Sequence, residues 1–144
     1  SQDEKNACVL VHPNNPTGHR YSDQDVTASF CIIDESFADI APEHSLISHA
    51  ARPGVIVLKS FGKFWGLAGL RLGFAIGDPN MIARLNTKLG PWAVSGPALA
   101  LGARALRDTN WQCICMARAA SKKPHLKSHI PVFKYLATTG FAWT

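Results

Sequence analysis

The last quarter of the chain has no acidic residue. All ten Asp and Glu lie before Thr109, whereas Arg118, Lys122, Lys123, Lys127 and Lys134 lie beyond it. Residues 1–108 carry ten Lys and Arg against those ten acids, so the formal net charge of +5 belongs entirely to residues 109–144. Such a shift marks a boundary or a tail rather than an evenly basic surface. The chain has no apolar run near the roughly 20 residues that a membrane-spanning helix needs. It opens without a charged stretch, an apolar stretch and a small-residue cleavage site, so the expectation is a cytoplasmic protein. Internal repeats are missing, which excludes a solenoid or propeller. Disulfide-scaffold spacing is missing too: Cys8 and Cys31 fall in strand-like apolar runs, where a thiol behaves as a small apolar group, and only Cys113 and Cys115 remain.

What is present reads as one globular domain: 47% of the 144 residues are apolar and 17% charged. Apolar runs at Ala7–Val11, Phe30–Ile33, Gly54–Leu58 and Leu70–Ile76 predict strands. The dense turn signal Pro13-Asn-Asn-Pro16-Thr-Gly18 stops the first. Ser22, followed by Asp23 and Asp25, predicts a short helix to about Phe30, and Pro42 to Ala50 a second. Met81 to Leu89 and Pro97 to Leu106 have helical spacing, with Ser95 placed to cap the latter. Beyond Thr109 the periodicity weakens. Strands alternating with helices predict an α/β fold, a mostly parallel sheet with flanking helices. Ligands in such sheets bind beyond the carboxyl ends of the strands. Asn15, Asp34 and Lys63 each follow such an end.

The most informative run is Ser60-Phe-Gly-Lys63-Phe-Trp-Gly-Leu-Ala-Gly-Leu-Arg71. One lysine stands between glycines that permit tight turns, and an arginine follows eight residues later. This presents one amine for covalent chemistry with a phosphate-binding guanidinium beside it. Lys59 is a near decoy that lacks the spacing to Arg71. The run resembles the cofactor-lysine segment of fold-type I pyridoxal 5'-phosphate enzymes, the aspartate aminotransferase superfamily. Its wording is most similar to the threonine-phosphate decarboxylases of cobalamin biosynthesis, then to the histidinol-phosphate aminotransferases. Leu89-Gly-Pro-Trp-Ala-Val-Ser-Gly-Pro is similar to the decarboxylases as well.

The resemblance implies a role for each residue. Lys63 bonds pyridoxal phosphate and then shuttles protons. Asp34 faces the pyridine nitrogen, Arg71 and Ser60 hold the phosphate, and Asn15 contacts the phenolate oxygen. Phe37 stands where many aminotransferases carry a tyrosine. The implied partners are a phosphorylated amino-acid substrate and a second copy in a homodimer, with no membrane and no nucleic acid. The implied reaction is decarboxylation of L-threonine O-3-phosphate, with histidinol-phosphate-type transamination as the alternative.

The resemblance covers roughly residues 7–108, so residues 1–108 are expected to form a partial pyridoxal-phosphate-binding large domain. Residues 109–144 form a basic C-terminal segment atypical of the family. Neither a Gly-rich phosphate loop nor an arginine for the substrate carboxylate is recognisable. The expectation is a fragment, truncated product or decayed copy, whether inactive or pairing with a full-length homologue. Two further readings rest on residues 109–144. Cys113 and Cys115 with His125 and His129 have the ligand types of a zinc site, though not the usual spacing. The basic residues are not arranged as a recognised nucleic-acid module, and a solvated tail is the expectation.

Overall fold

The computed structural model describes residues 7–121 of the chain. Its sheet has the order β1 (Ala7–Val11), β2 (Phe30–Asp34), β3 (Val55–Ser60) and β4 (Gly73–Gly77). The first three strands are parallel and β4 runs antiparallel to β3. The register pairs Val11 with Asp34, Asp34 with Leu58, and Ser60 with Gly73. The carboxyl ends of β1, β2 and β3 and the start of β4 therefore share one edge.

Alternation along the strands decides what each face buries. Cys31 and Ile33 of β2 pair with Val55 and Val57 of β3, and all four are fully buried. With Val26 and Leu46 they form the first core cluster, flanked by Cys8, Leu10, Tyr21 and Ala50. Each such aliphatic side chain contributes roughly 1.5–3 kcal/mol by leaving water. The intervening residues Ile32 and Asp34 look to the opposite face and are only partly buried.

Three helices follow the sheet. In α1 (Pro79–Leu89), Asp78 accepts from Asn80 N–H at 2.8 Å and Pro79 occupies the first turn. In α2 (Gly96–Arg107), Ser95 accepts from Ala98 N–H at 3.3 Å, the cap expected from the sequence. α3 (Thr109–Ser121) begins where Asp108 accepts from Trp111 N–H at 2.9 Å. A second core cluster gathers Phe61, Trp65 and Leu72, packed by Phe64, Leu99 and Trp111. Trp65 and Trp111 stack with centroids 5.3 Å apart and planes 10° from parallel.

Two expected helices are not there. The Ser22–Phe30 segment holds only a three-residue 3₁₀ turn, Asp23–Asp25. Asp25 folds back to accept from Ser22 N–H and Oγ at 2.7 and 2.9 Å, and the chain then extends to bury Val26 and Ala28. That Ser22 N–H also holds the Asp25 carboxyl below its ordinary range. The Pro42–Ala50 segment breaks into 3₁₀ turns at Pro42–His44 and Ile47–Ala51. Its Leu46 N–H is drawn to Glu35 Oε1 at 2.5 Å instead of the Pro42 carbonyl, which accepts from Ser45 N–H at 3.0 Å in a 3₁₀ turn. Conversely, the weakly periodic stretch after Thr109 is helical as far as Ser121.

Candidate functional site

The five residues singled out in the sequence all lie at or just beyond the shared edge. Asn15 lies in the turn just past β1, Asp34 ends β2, Ser60 ends β3, Lys63 lies just past it, and Arg71 stands two residues before β4. The turn carrying Asn15 is held by its neighbour. Asn14 Oδ1 accepts from Thr17 Oγ1 at 2.7 Å, and Gly18 N–H donates to the Asn14 carbonyl at 2.6 Å.

Adjacent acids and adjacent strand residues are sent to different tasks. Asp34 shares its face with Leu58, hence with Ser60; Glu35 and Lys59 take the other face. On that face Lys59 Nζ sits 2.8 Å from Glu35 Oε2 and 3.0 Å from Asp39 Oδ1. Glu35 is fully buried and also accepts from Ser45 Oγ at 2.7 Å. Burial works against the charge of Lys59, but Glu35 and then Asp39 outweigh it and raise its pKa above the ordinary lysine value. Lys59 is thus a structural cation, and the sequence reading of it as a decoy gains a physical cause. The Glu35–Lys59–Asp39 group itself was missed, although alternation along Val55-Ile-Val-Leu-Lys59-Ser60 separates Lys59 from Ser60.

The loop bearing Lys63 is pinned at both ends. Phe61 N–H donates to the Leu72 carbonyl at 3.1 Å, and Leu67 N–H donates to the Phe61 carbonyl at 2.9 Å. The Phe61 and Trp65 rings stack 5.0 Å apart beneath it. Lys63 Nζ lies 5.3 Å from the centroid of the Phe37 ring and meets no acid or carbonyl among the described residues. Its ammonium is held loosely, against an aromatic face rather than a counter-ion.

Several polar atoms at this edge keep unused capacity. Asp34 Oδ1 accepts from Ser36 N–H at 3.0 Å and Ser36 Oγ at 2.6 Å, while its other oxygen has no partner among the described residues. Ser60 Oγ accepts from Gly62 N–H at 3.1 Å, leaving its own proton to donate. The Asn15 amide makes no hydrogen bond among the described residues. Arg71 takes the left-handed conformation (φ 52°, ψ 36°), and its guanidinium donates to the Ala68 carbonyl at 3.2 Å. The edge thus carries an arginine and a serine hydroxyl able to donate to an anion, one carboxylate oxygen without a partner among the described residues, one amide and one amine.

Other features lie apart from this set. His12 is buried, donates from Nε2 to the His44 carbonyl at 2.8 Å and accepts at Nδ1 from Tyr21 N–H at 3.0 Å, a structural imidazole that sequence reasoning missed. Trp92 is 94% exposed in the loop between α1 and α2. Cys113 is exposed and Cys115 half-buried on α3, His125 and His129 lie outside the described residues, and no cluster of three or more metal-ligating side chains occurs among the described ones. Of the basic tail, Lys122, Lys123, Lys127 and Lys134 likewise lie outside. No helix among the described residues is long and apolar enough to cross a membrane.

Known proteins share this fold and much of this sequence. The family model for aminotransferases of class I and II matches residues 1–138. A threonine-phosphate decarboxylase of Pseudomonas aeruginosa is 42% identical over 119 residues, covering 76% of this chain and 36% of the relative. A histidinol-phosphate aminotransferase of Symbiobacterium thermophilum is 34% identical over 109 residues, covering 69% and 30%. Among solved structures, histidinol-phosphate aminotransferase from Sinorhizobium meliloti in complex with pyridoxal-5'-phosphate superposes with a TM-score of 0.69 at 25% identity, covering 79% of this chain and 34% of that one. The chain spans about a third of the length of these relatives. On this evidence it belongs to the class I and II aminotransferase family.

Proposed function

We propose that this chain carries the cofactor-binding core of a pyridoxal-phosphate enzyme that decarboxylates L-threonine O-3-phosphate. The observation that supports the cofactor reading is the contrast between two lysines. Lys59 is held by two carboxylates, whereas Lys63, four residues on, offers an amine without an ionic partner among the described residues. The donor set fits the cofactor: an unengaged Asp34 oxygen, the Ser60 proton and the Asn15 amide all border that amine's edge.

Pyridoxal phosphate, when bound, supplies an electron sink for the pair released as a bond at the substrate Cα breaks. Asp34 would hold a proton at the pyridine nitrogen, with Ser36 fixing the carboxylate's other oxygen. Ser60 and Arg71 would bind the phosphate by hydrogen bond and charge. Asn15 would donate to the phenolate oxygen. Lys63 would attach the cofactor and afterwards deliver a proton to Cα. Phe37 brings no hydroxyl to that oxygen and instead supports the Lys63 ammonium.

Decarboxylation is preferred because the threonine-phosphate decarboxylase relative is 42% identical, against 34% for the aminotransferase. Histidinol-phosphate-type transamination is the second reading, supported by the solved aminotransferase. In either, the substrate is a phosphorylated amino acid or amine and the working form a cytoplasmic homodimer.

The test is to add pyridoxal phosphate, reduce with borohydride and map the label by mass spectrometry. Label on Lys63 that disappears in Lys63→Ala supports the reading; label scattered over surface lysines refutes it. Carbon dioxide release from L-threonine O-3-phosphate then separates the two reactions. Label without release by this chain alone, but with release on adding a full-length homologue, would identify a pairing subunit.

A further inference from the structure

The mechanism above leaves one reactive pair unused. Cys8 of β1 and Cys31 of β2 are register partners, and their sulfurs lie 2.8 Å apart. We propose that these two thiols form an intrachain disulfide under peroxide stress, joining β1 to β2.

Geometry favours the bond. Neighbouring strands run about 4.8 Å apart, inside the roughly 4.4–6.8 Å that separates bridged Cα atoms. Both side chains face the first core cluster, so the sulfurs already point at one another. Closing to a bond of about 2.05 Å moves them by less than about 1 Å. Reach differs between the two. Cys31 is wholly buried, whereas Cys8 is half-buried on a strand whose other edge pairs with no described strand. Cys113 and Cys115 sit on α3, beyond the sheet.

The chemistry balances. The Cys8 thiolate attacks one peroxide oxygen, the O–O bond breaks, and Cys8 becomes a sulfenic acid as hydroxide leaves. The Cys31 sulfur then displaces that hydroxyl, forming the S–S bond. In total, two thiols surrender two protons and two electrons, and one hydrogen peroxide becomes two waters. Burial, then the adjacent Cys8 thiol, pushes the Cys31 thiol up to about 12, so the second step quickens as the solution becomes alkaline. The link would fix the spacing between the strand that leads to Asn15 and the strand that ends at Asp34.

The full chain carrying Cys113→Ser and Cys115→Ser is treated with hydrogen peroxide, alkylated with iodoacetamide and digested without reductant. The expected result is one peptide pair linked through Cys8 and Cys31, about 2 Da lighter than the two free thiols. It should be reversed by dithiothreitol, absent in Cys8→Ser, and accompanied by a thermal midpoint at least about 5 °C higher. Alkylation of both thiols after unfolding would overturn the proposal. So would Cys8 carried to sulfinic acid beside a free Cys31, or Cys8 of one copy linked to Cys8 of another.

Discussion

Lys59 Nζ stands 2.8 Å from Glu35 Oε2, and that carboxylate is fully buried. The pair ties the end of β3 to the residue that follows β2, directly behind Asp34 and Ser60. It therefore supports that edge from the opposite face of the sheet.

Lys59→Met leaves a buried carboxylate without its cation. The expected loss is about 3–5 kcal/mol in urea unfolding. Adding Glu35→Gln should recover at least about 1 kcal/mol of it, a coupling that independent residues would not give. A loss of only a few tenths would show that the pair does not hold the strands together.

Lys63→Ala should behave in the opposite way. Its ammonium touches only the Phe37 ring among the described residues, a contact worth about 0.5–1 kcal/mol at most. Unfolding should shift by less than about 1 kcal/mol while the borohydride-fixed label disappears. Lys59→Met should retain the label wherever it remains folded.

Alkali should weaken the fold through two groups. The Cys31 thiol, raised by burial from 9.0 to about 12, stays neutral in the native state while the unfolded chain ionises. A raised value stabilises below the unfolded pKa and the benefit is lost as pH climbs toward the folded one. The urea midpoint should thus fall between pH 9 and 12, and Cys31→Ala should flatten that fall. Lys59, also raised, adds a loss above the ordinary lysine range that Cys31→Ala leaves in place.

Gly54→Ala is expected to cost more than about 2 kcal/mol. Gly54 has φ +80°, and a Cβ there would collide with the Ser29 carbonyl oxygen. Gly66 has φ +67° with open space around it, so Gly66→Ala should cost only about 1 kcal/mol of backbone strain. Thermal unfolding of the two variants separates collision from strain.

What could be read in the sequence was local. The four strands are legible because Val, Ile and Leu runs end in turn residues, and the placement of Asn15, Asp34, Ser60 and Lys63 at one edge follows once three strands run parallel. The missing helix after Pro42 follows from a distant partner: Leu46 N–H goes to Glu35, eleven residues back. The burial of His12 depends in the same way on Tyr21 and His44. The helix after Thr109 has little amphipathic pattern to betray it; Trp111 is held by stacking on Trp65, a contact that periodicity does not encode. Nor could residue types alone distinguish the Lys59 ammonium, already bound, from that of Lys63.

Arg71 sets stability against recognition at a single residue. A left-handed arginine is disfavoured by roughly 1–2 kcal/mol, and glycine would relieve it. On the proposed role, Arg71→Gly should relieve this strain in unfolding measurements while weakening phosphate binding. In the phosphate-binding role proposed for it, the guanidinium would be held in place at the cost of that backbone strain.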